Sequence, residues 1–252
     1  MRQSSTSIQT YKSCRRLYEL KYIYGMEPTQ KPEALERGSN YHQKVEQLLS
    51  AGEFDRDTDK TTAMADAFAK YILPQIDAVA PEEWFEWHFA DDEVLVGKID
   101  ARTPDGALIE HKTTSGDIDE QYWYNKQYDE QLMTYMLAYG TNRAIYTVCK
   151  TPTIRLKKGE TEEEFVERCR AWYDEDTESK IAMREIVIPQ EQLDEFKIML
   201  AQTVGEIERC TLFYRNQNYC THWGRMCEYA PICQHYDPNE TYVGFEKRER
   251  SK

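Results

Sequence analysis

Gly97-Lys98-Ile99-Asp100, followed after a turn by Ile109-Glu110-His111-Lys112, is the stretch that decides how this chain is read. Between the two lies Thr103-Pro104-Asp105-Gly106. That is a turn signal, because Pro presets φ and Gly tolerates a positive φ. The flanking segments, residues 93–103 and 107–113, are rich in apolar and β-branched residues and read as two antiparallel strands. A turn centred on Asp105 sets Asp100 directly across from Glu110. Side chains so opposed share one sheet face, with Cβ atoms roughly 4.5–5.5 Å apart. Lys112 is two residues beyond Glu110 and shares that face. Val94, Leu95, Val96, Ile99, Leu108 and Ile109 give both strands a buried character. Buried charge is costly unless it is paired or binds a metal. A surface hairpin with a cross-strand salt bridge uses the same three residues, and the apolar setting speaks against it.

Two carboxylates so close repel, and one pKa rises, unless a cation sits between them. A hard divalent cation such as Mg²⁺ or Mn²⁺ prefers such oxygen ligands. It can polarise a phosphate and lower the pKa of a water. Lys112 can orient that water or stabilise charge in the transition state. The set suits phosphodiester hydrolysis.

Working outward, residues 7–24 and 33–51 read as helices ending at Gly25 and Gly52, and a third helix covers 59–78 before Pro81. Residues 83–90 read as a strand. Helix 119–139 ends near Gly140. Short strands follow at 143–151 and 153–156, broken by Pro152. Then come helix 161–173, strand 181–188 and helix 190–215, after which the chain is irregular. Helices packed around a central hairpin and further strands predict a mixed α/β core. No internal repeat or long low-complexity segment interrupts it.

The chain has 252 residues, 40% of them hydrophobic, which suits a single domain over 1–252. No apolar run approaches a membrane span. The first residues lack the apolar stretch of a signal peptide, so a soluble, cytoplasmic protein is expected. The net charge is −13, from 32 Lys+Arg against 45 Asp+Glu. Nucleic-acid binders are usually basic. A nucleic-acid substrate here therefore implies a small, metal-assisted footprint.

Two helices carry possible partners of the hairpin. His42 and Glu46 are at i and i+4 and share a face. His42 could ligate a metal through neutral imidazole, with Glu46 orienting it or ligating in turn. A solvated helix face fits the same pair. Gln131 and Tyr135 are again i and i+4, and both could hydrogen-bond a phosphate or base. A polar stripe on an amphipathic helix explains them equally well. Tyr122-Trp123-Tyr124 could stack on unpaired bases or serve the core.

The ordered set Gly38…His42…Glu46, Gly97-x-x-Asp100, Glu110-x-Lys112 and Gln131-x-x-x-Tyr135 resembles the RecB-type branch of the PD-(D/E)XK nucleases. The resemblance covers residues 37–135. It implies a restriction-endonuclease-like core: a central mixed sheet flanked by helices. It implies that His42, Asp100, Glu110 and the carbonyl of His111 ligate Mg²⁺ or Mn²⁺. It further implies that Lys112 is catalytic and that Gln131 and Tyr135 support substrate binding. Ile99 stands where the superfamily name has Pro, but the acid carries the chemistry. The expected activity is a DNA exonuclease or end-processing nuclease. By resemblance, its substrate is single-stranded or frayed DNA. The compact size points to recombination, repair or replication partners in a bacterial or phage-infected cytoplasm. A non-catalytic nucleic-acid-binding or adaptor protein keeping the fold is the alternative. Loss of Asp100, Glu110 or Lys112 would mark it, and all three are present.

There are seven cysteines. An odd number without a secretion signal is a poor disulfide framework, and clustered thiols in a reducing cytosol are more often metal ligands. Cys14 at one end, with Cys220, Cys227 and Cys233 at the other, resembles the iron–sulfur RecB-type nucleases, among them the AddB nuclease domain and the CRISPR-associated adaptation nucleases. The resemblance implies a [4Fe–4S] cluster on these four thiolates, with residues 1–30 and 205–252 forming one staple module. Zinc is the alternative. Six residues separate Cys220 from Cys227, where two are the commoner pattern, so Cys210 is a reserve ligand. The five between Cys227 and Cys233 match. Cys149 and Cys169 are assigned to packing.

Overall fold

A computed structural model of the chain describes residues 2–90, 93–222 and 224–248. In chain order the elements are β1 (Arg2–Gln3), α1 (Ser5–Ser13), α2 (Arg15–Tyr18), a π-helical turn (Glu19–Ile23), β2 (Met26–Pro28), α3 (Glu33–Ala51), α4 (Lys60–Tyr71), β3 (Glu83–Ala90), β4 (Glu93–Ile99) and β5 (Ala101–Arg102). There follow β6 (Leu108–Thr114), α5 (Glu120–Lys126), α6 (Glu130–Tyr139), β7 (Arg143–Lys150), α7 (Glu162–Glu175), β8 (Ile181–Val187), α8 (Gln190–Arg209), α9 (Gln217–Cys220), β9 (Thr221–His222), β10 (Arg225–Met226), α10 (Ala230–Cys233) and β11 (Phe245–Lys247). The chain forms two compact units, Glu33–Glu86 with Gly97–Lys197, and Met1–Pro32 with Trp87–Val96 and Ile198–Lys252.

The first unit is built on a mixed sheet in the order β5-β6-β7-β8. Strand β6 runs antiparallel to β5 and parallel to β7, and β7 is antiparallel to β8. Ala101 pairs with Ile109 and Arg102 with Leu108, the register expected from a turn centred on Asp105. On one face, Tyr41, Val45 and Leu48 of α3, Met64 and Phe68 of α4 and Tyr173 of α7 pack on Cys149 and Ile181. On the other, Trp123 of α5 meets Tyr146 edge-on, with ring centroids 6.2 Å apart. Each large apolar side chain so buried contributes roughly 1.5–3 kcal/mol. Strand β6 lies between the two layers, which is why Glu110 and His111 are buried.

Several boundaries differ from the sequence expectation, each for a local reason. Residues 93–103 form two strands in two different sheets, dividing at Asp100. The Asp100 carboxylate accepts the His111 N–H at 2.7 Å, taking the place of a ladder bond. Helix 119–139 is two helices, because Asp129 caps a new N-terminus by accepting from Gln131 N and Leu132 N. Gly140, in the left-handed region, ends the second of them. Residues 7–24 break at Cys14, whose backbone is extended. Residues 153–156 form no strand, α4 stops at Tyr71, and α8 stops at Arg209.

Gly97 has a steric reason. A Cβ there would lie 2.7 Å from the Phe85 ring and 3.0 Å from that of Tyr135. Phe85 is packed edge-to-face against Tyr135 and Tyr139, with ring centroids 5.4 and 5.6 Å away, so moving it aside would break both contacts. Gly97→Ala is expected to cost about 1–3 kcal/mol through overpacking, read as a lowered urea midpoint at unchanged slope.

In the second unit β1 runs parallel to β4 and β2 antiparallel to β11. Leu20, Met26, Tyr229 and Ile232 form one buried cluster of it, and Ile8, Leu95, Leu200 and Val204 are buried in it as well. Tyr229 Oη donates to the Met26 carbonyl at 2.9 Å, and Asn216 Nδ2 donates to that of Ser13 at 2.7 Å. Both ends of the sequence thus share one core. No helix among the described residues is long and apolar enough to cross a membrane.

Candidate active site

Helix α3 carries His42 to the break between β4 and β5. His42 Nδ1 lies 3.1 Å from Asp100 Oδ1, while Asp100 Oδ2 takes the His111 N–H. Burial pushes the Asp100 carboxyl up, but the hydrogen bond and charge of His42 outweigh it and hold Asp100 well below the usual range. Burial lowers His42, and its bond to Asp100 wins in turn, leaving it raised. Glu46 is half-buried one turn further on, and His42 bonds Asp100 rather than Glu46.

Glu110 and Lys112 project from the same face of β6 and form an ion pair. The Lys112 ammonium also donates to Gln131 Oε1 at 3.0 Å, and Gln131 Nε2 donates to Tyr135 Oη at 2.7 Å. Gln131 and Tyr135 therefore reach the strand from α6 as one connected line. Burial pushes the Glu110 carboxyl up to about 7, with Lys112 opposing and Asp100 adding to the rise. Burial lowers Lys112 and the Glu110 charge raises it further, so it stays cationic. The His111 ring points to the opposite face, with Nδ1 2.7 Å from Thr147 Oγ1 and Nε2 buried without a partner. Burial lowers it to about 4. Trp123 lies in the core, and the Tyr122 ring stands over Lys126.

One site residue was not foreseen. Ligand atoms of His42, Glu82 and Asp100 lie within 4.8 Å of one another, the one such group of His, Cys, Asp or Glu among the described residues. Glu82 comes from the turn before β3. Its N–H donates to the Asp100 carbonyl at 2.8 Å, and Val79 pairs with Arg102 beside it. Ala80 and Glu82 both have positive φ. Two glutamates after Pro81 were visible in the sequence, but periodicity does not say which turns inward.

Cys14, Cys220, Cys227 and Cys233 line one cavity of ≈ 250 Å³, together with Leu17, Leu20 and Met226. Burial pushes the Cys227 thiol up, and Cys14 and Cys233 nearby add to it. No three of these sulfurs come within 4.8 Å of one another. Cys210 is not among the lining residues; its thiol lies 3.5 Å from the Leu212 carbonyl. Cys149 and Cys169 are buried in the core of the first unit.

The sequence profile of the PD-(D/E)XK nuclease superfamily matches residues 2–89 and 63–234, and the chain belongs to that superfamily. No curated protein matches it in sequence. Among solved structures it is similar to a candidate exonuclease from Eubacterium rectale, at 13% identity and a TM-score of 0.54, covering 95% of this chain and 90% of that one. A phage-related exonuclease from Haemophilus somnus shares 14% identity over 83% of this chain and 94% of its own, with a TM-score of 0.38. An alkaline exonuclease from Laribacter hongkongensis shares 14% over 71% and 83%, with a TM-score of 0.35. The first of these likenesses establishes a common fold.

Proposed function

We propose that this protein is a metal-dependent deoxyribonuclease that hydrolyses phosphodiester bonds at single-stranded or frayed DNA ends. The observation that carries the reading is a connected set of buried polar groups: His42 bonds Asp100, Asp100 accepts the His111 N–H, and Glu110, Lys112, Gln131 and Tyr135 form one line, drawn from two helices, strand β6 and the break between β4 and β5. One imidazole and a set of buried carboxylates make a hard donor set that fits Mg²⁺ or Mn²⁺. His42, Asp100, Glu110 and the His111 carbonyl would hold the ion, which supplies a Lewis acid for the phosphate and an acidified water. Lys112, fixed by Glu110 and Gln131, donates to a phosphate oxygen and offsets charge that grows in the transition state. Tyr135 keeps Gln131 from swinging away. The net charge of −13 favours a short footprint at an end over a long duplex contact.

The four cysteines suit a second, structural centre. Thiolate-only ligation selects soft metals. A single zinc ion, with Zn–S of about 2.3 Å, needs its sulfurs nearly touching. A cubane cluster holds them further apart around its own volume. The choice of [4Fe–4S] over zinc rests on the resemblance to the iron–sulfur RecB-type nucleases; what the four thiols contribute is that they line one cavity.

The nuclease reading is tested with the purified protein and end-labelled single- and double-stranded DNA, with Mg²⁺, with Mn²⁺ and with EDTA. Shortening of the labelled strand with either metal, lost in EDTA, is the expected result. Intact DNA under every condition sinks the reading.

A further inference from the structure

We propose that Glu82 is a further side-chain ligand of the catalytic metal ion, beside His42, Asp100 and Glu110, and that Lys98 is the counter-ion its carboxylate gives up when the ion enters. The proposal rests on the nuclease reading above and adds a residue that the sequence motifs do not contain.

The first ground is placement. Glu82 is only 11% exposed, and a carboxylate oxygen lies within 4.8 Å of ligand atoms of both His42 and Asp100. The backbone is built to put it there. Glu82 sits in the left-handed region at φ 57, which a residue with a Cβ adopts reluctantly. Its N–H bond to Asp100 O and the Val79–Arg102 bridge fix the segment along β5.

The second ground is charge. Asp100 and Glu82 are two nearly buried carboxylates side by side, an arrangement that repels unless cations compensate it. Lys98, two residues before Asp100, pairs with Glu82. The ammonium offsets Glu82 alone, and Asp100 depends on its bond to the His42 ring. A divalent ion held between His42, Asp100 and Glu82 neutralises both carboxylates.

The third ground is that Lys98 can leave. Its side chain is 37% exposed on a flexible stem, and its ammonium lies 5.9 Å from the ring of Trp84, itself 72% exposed. A lysine released from Glu82 stays charged and reaches solvent at little cost. There it adds one cation beside the site, available to a phosphate, in a protein whose net charge is strongly negative.

The test is a Mn²⁺ titration of the full-length protein without nucleic acid, following the electron paramagnetic resonance of free Mn²⁺. Glu82→Gln is expected to weaken Mn²⁺ binding by about tenfold or more, the scale on which metal-site support residues act. Lys98→Met should tighten it, because the carboxylate no longer has a competing partner, and Lys98→Met should add nothing once Glu82 is Gln. Lys98 is partly exposed, so this second arm does not depend on a buried substitution. Wild-type affinity in Glu82→Gln overturns the proposal, as does unchanged affinity in Lys98→Met. Asp100→Asn separates the two readings. If it weakens Mn²⁺ binding while Glu82→Gln does not, only the role of Glu82 fails. If Asp100→Asn binds like the wild type, the metal site itself is wrong.

Discussion

Lys112→Ala is expected to lower DNA cleavage by about 10²–10³-fold or more, the range seen when one preorganised charge-stabilising donor is removed. Lys112 does not bind the ion in this reading, so Mn²⁺ should still bind the variant, though at neutral pH it must displace a proton from Glu110 and so binds more weakly than at higher pH. Its ammonium is held by Glu110 and by Gln131 at 3.0 Å. Removing it leaves Glu110 buried without its cation. Glu110 is already pushed up to about 7 by burial, and without Lys112 it takes a proton at neutral pH rather than stay charged in the core. That proton limits the stability loss, and a thermal melt on the same sample separates misfolding from lost chemistry. Asp100→Asn is the complementary change. Asparagine keeps the shape and can still accept the His111 N–H, but it removes the charge that raises His42. It should lose both metal binding and cleavage. A Lys112→Ala protein that melts normally and cuts at the wild-type rate would remove Lys112 from the chemistry.

The hairpin was legible because its information is local. Turn residues at 103–106 set the register, and two-residue spacing put Glu110 and Lys112 on one face. The long α3 was equally legible, from Glu33 to Ala51, because its apolar period is regular and Gly52, at positive φ, ends it. Glu82 was not, since a left-handed turn and a main-chain bond to Asp100 aim it, and neither leaves a periodic trace. Nor was the strand break at Asp100. A side-chain carboxylate replaces a ladder bond there, and a strand pattern reads straight through it. The helix break at Asp129 was readable in principle: an Asp ten residues after the cap Asp119 is a second cap. The apolar run of α6 masked it.

Replacing Cys14, Cys220, Cys227 or Cys233 by serine is expected to bleach the protein and destabilise it. Protein purified without oxygen should be brown, with a broad visible absorption and about four irons per chain, as thiolate-bound [4Fe–4S] requires. The four thiols line one cavity although 205 residues lie between Cys14 and Cys220. A centre shared by the four would therefore close almost the whole chain into a loop. The entropy of closure grows only slowly with loop length, so strong metal–thiolate bonds readily offset it. Loss of the centre should cost about 3–5 kcal/mol, the tail reached when a metal site is lost, which lowers Tm by roughly 6–20 °C in a chain of this size. Cys149→Ser and Cys169→Ser should keep the colour, since both thiols are buried elsewhere, Cys149 beside the Tyr173 hydroxyl at 3.2 Å. Stoichiometric zinc in a colourless anaerobic preparation would exclude the cluster and keep the four ligands. A preparation free of iron and zinc, with serine variants melting like the wild type, would leave the cavity an ordinary apolar pocket.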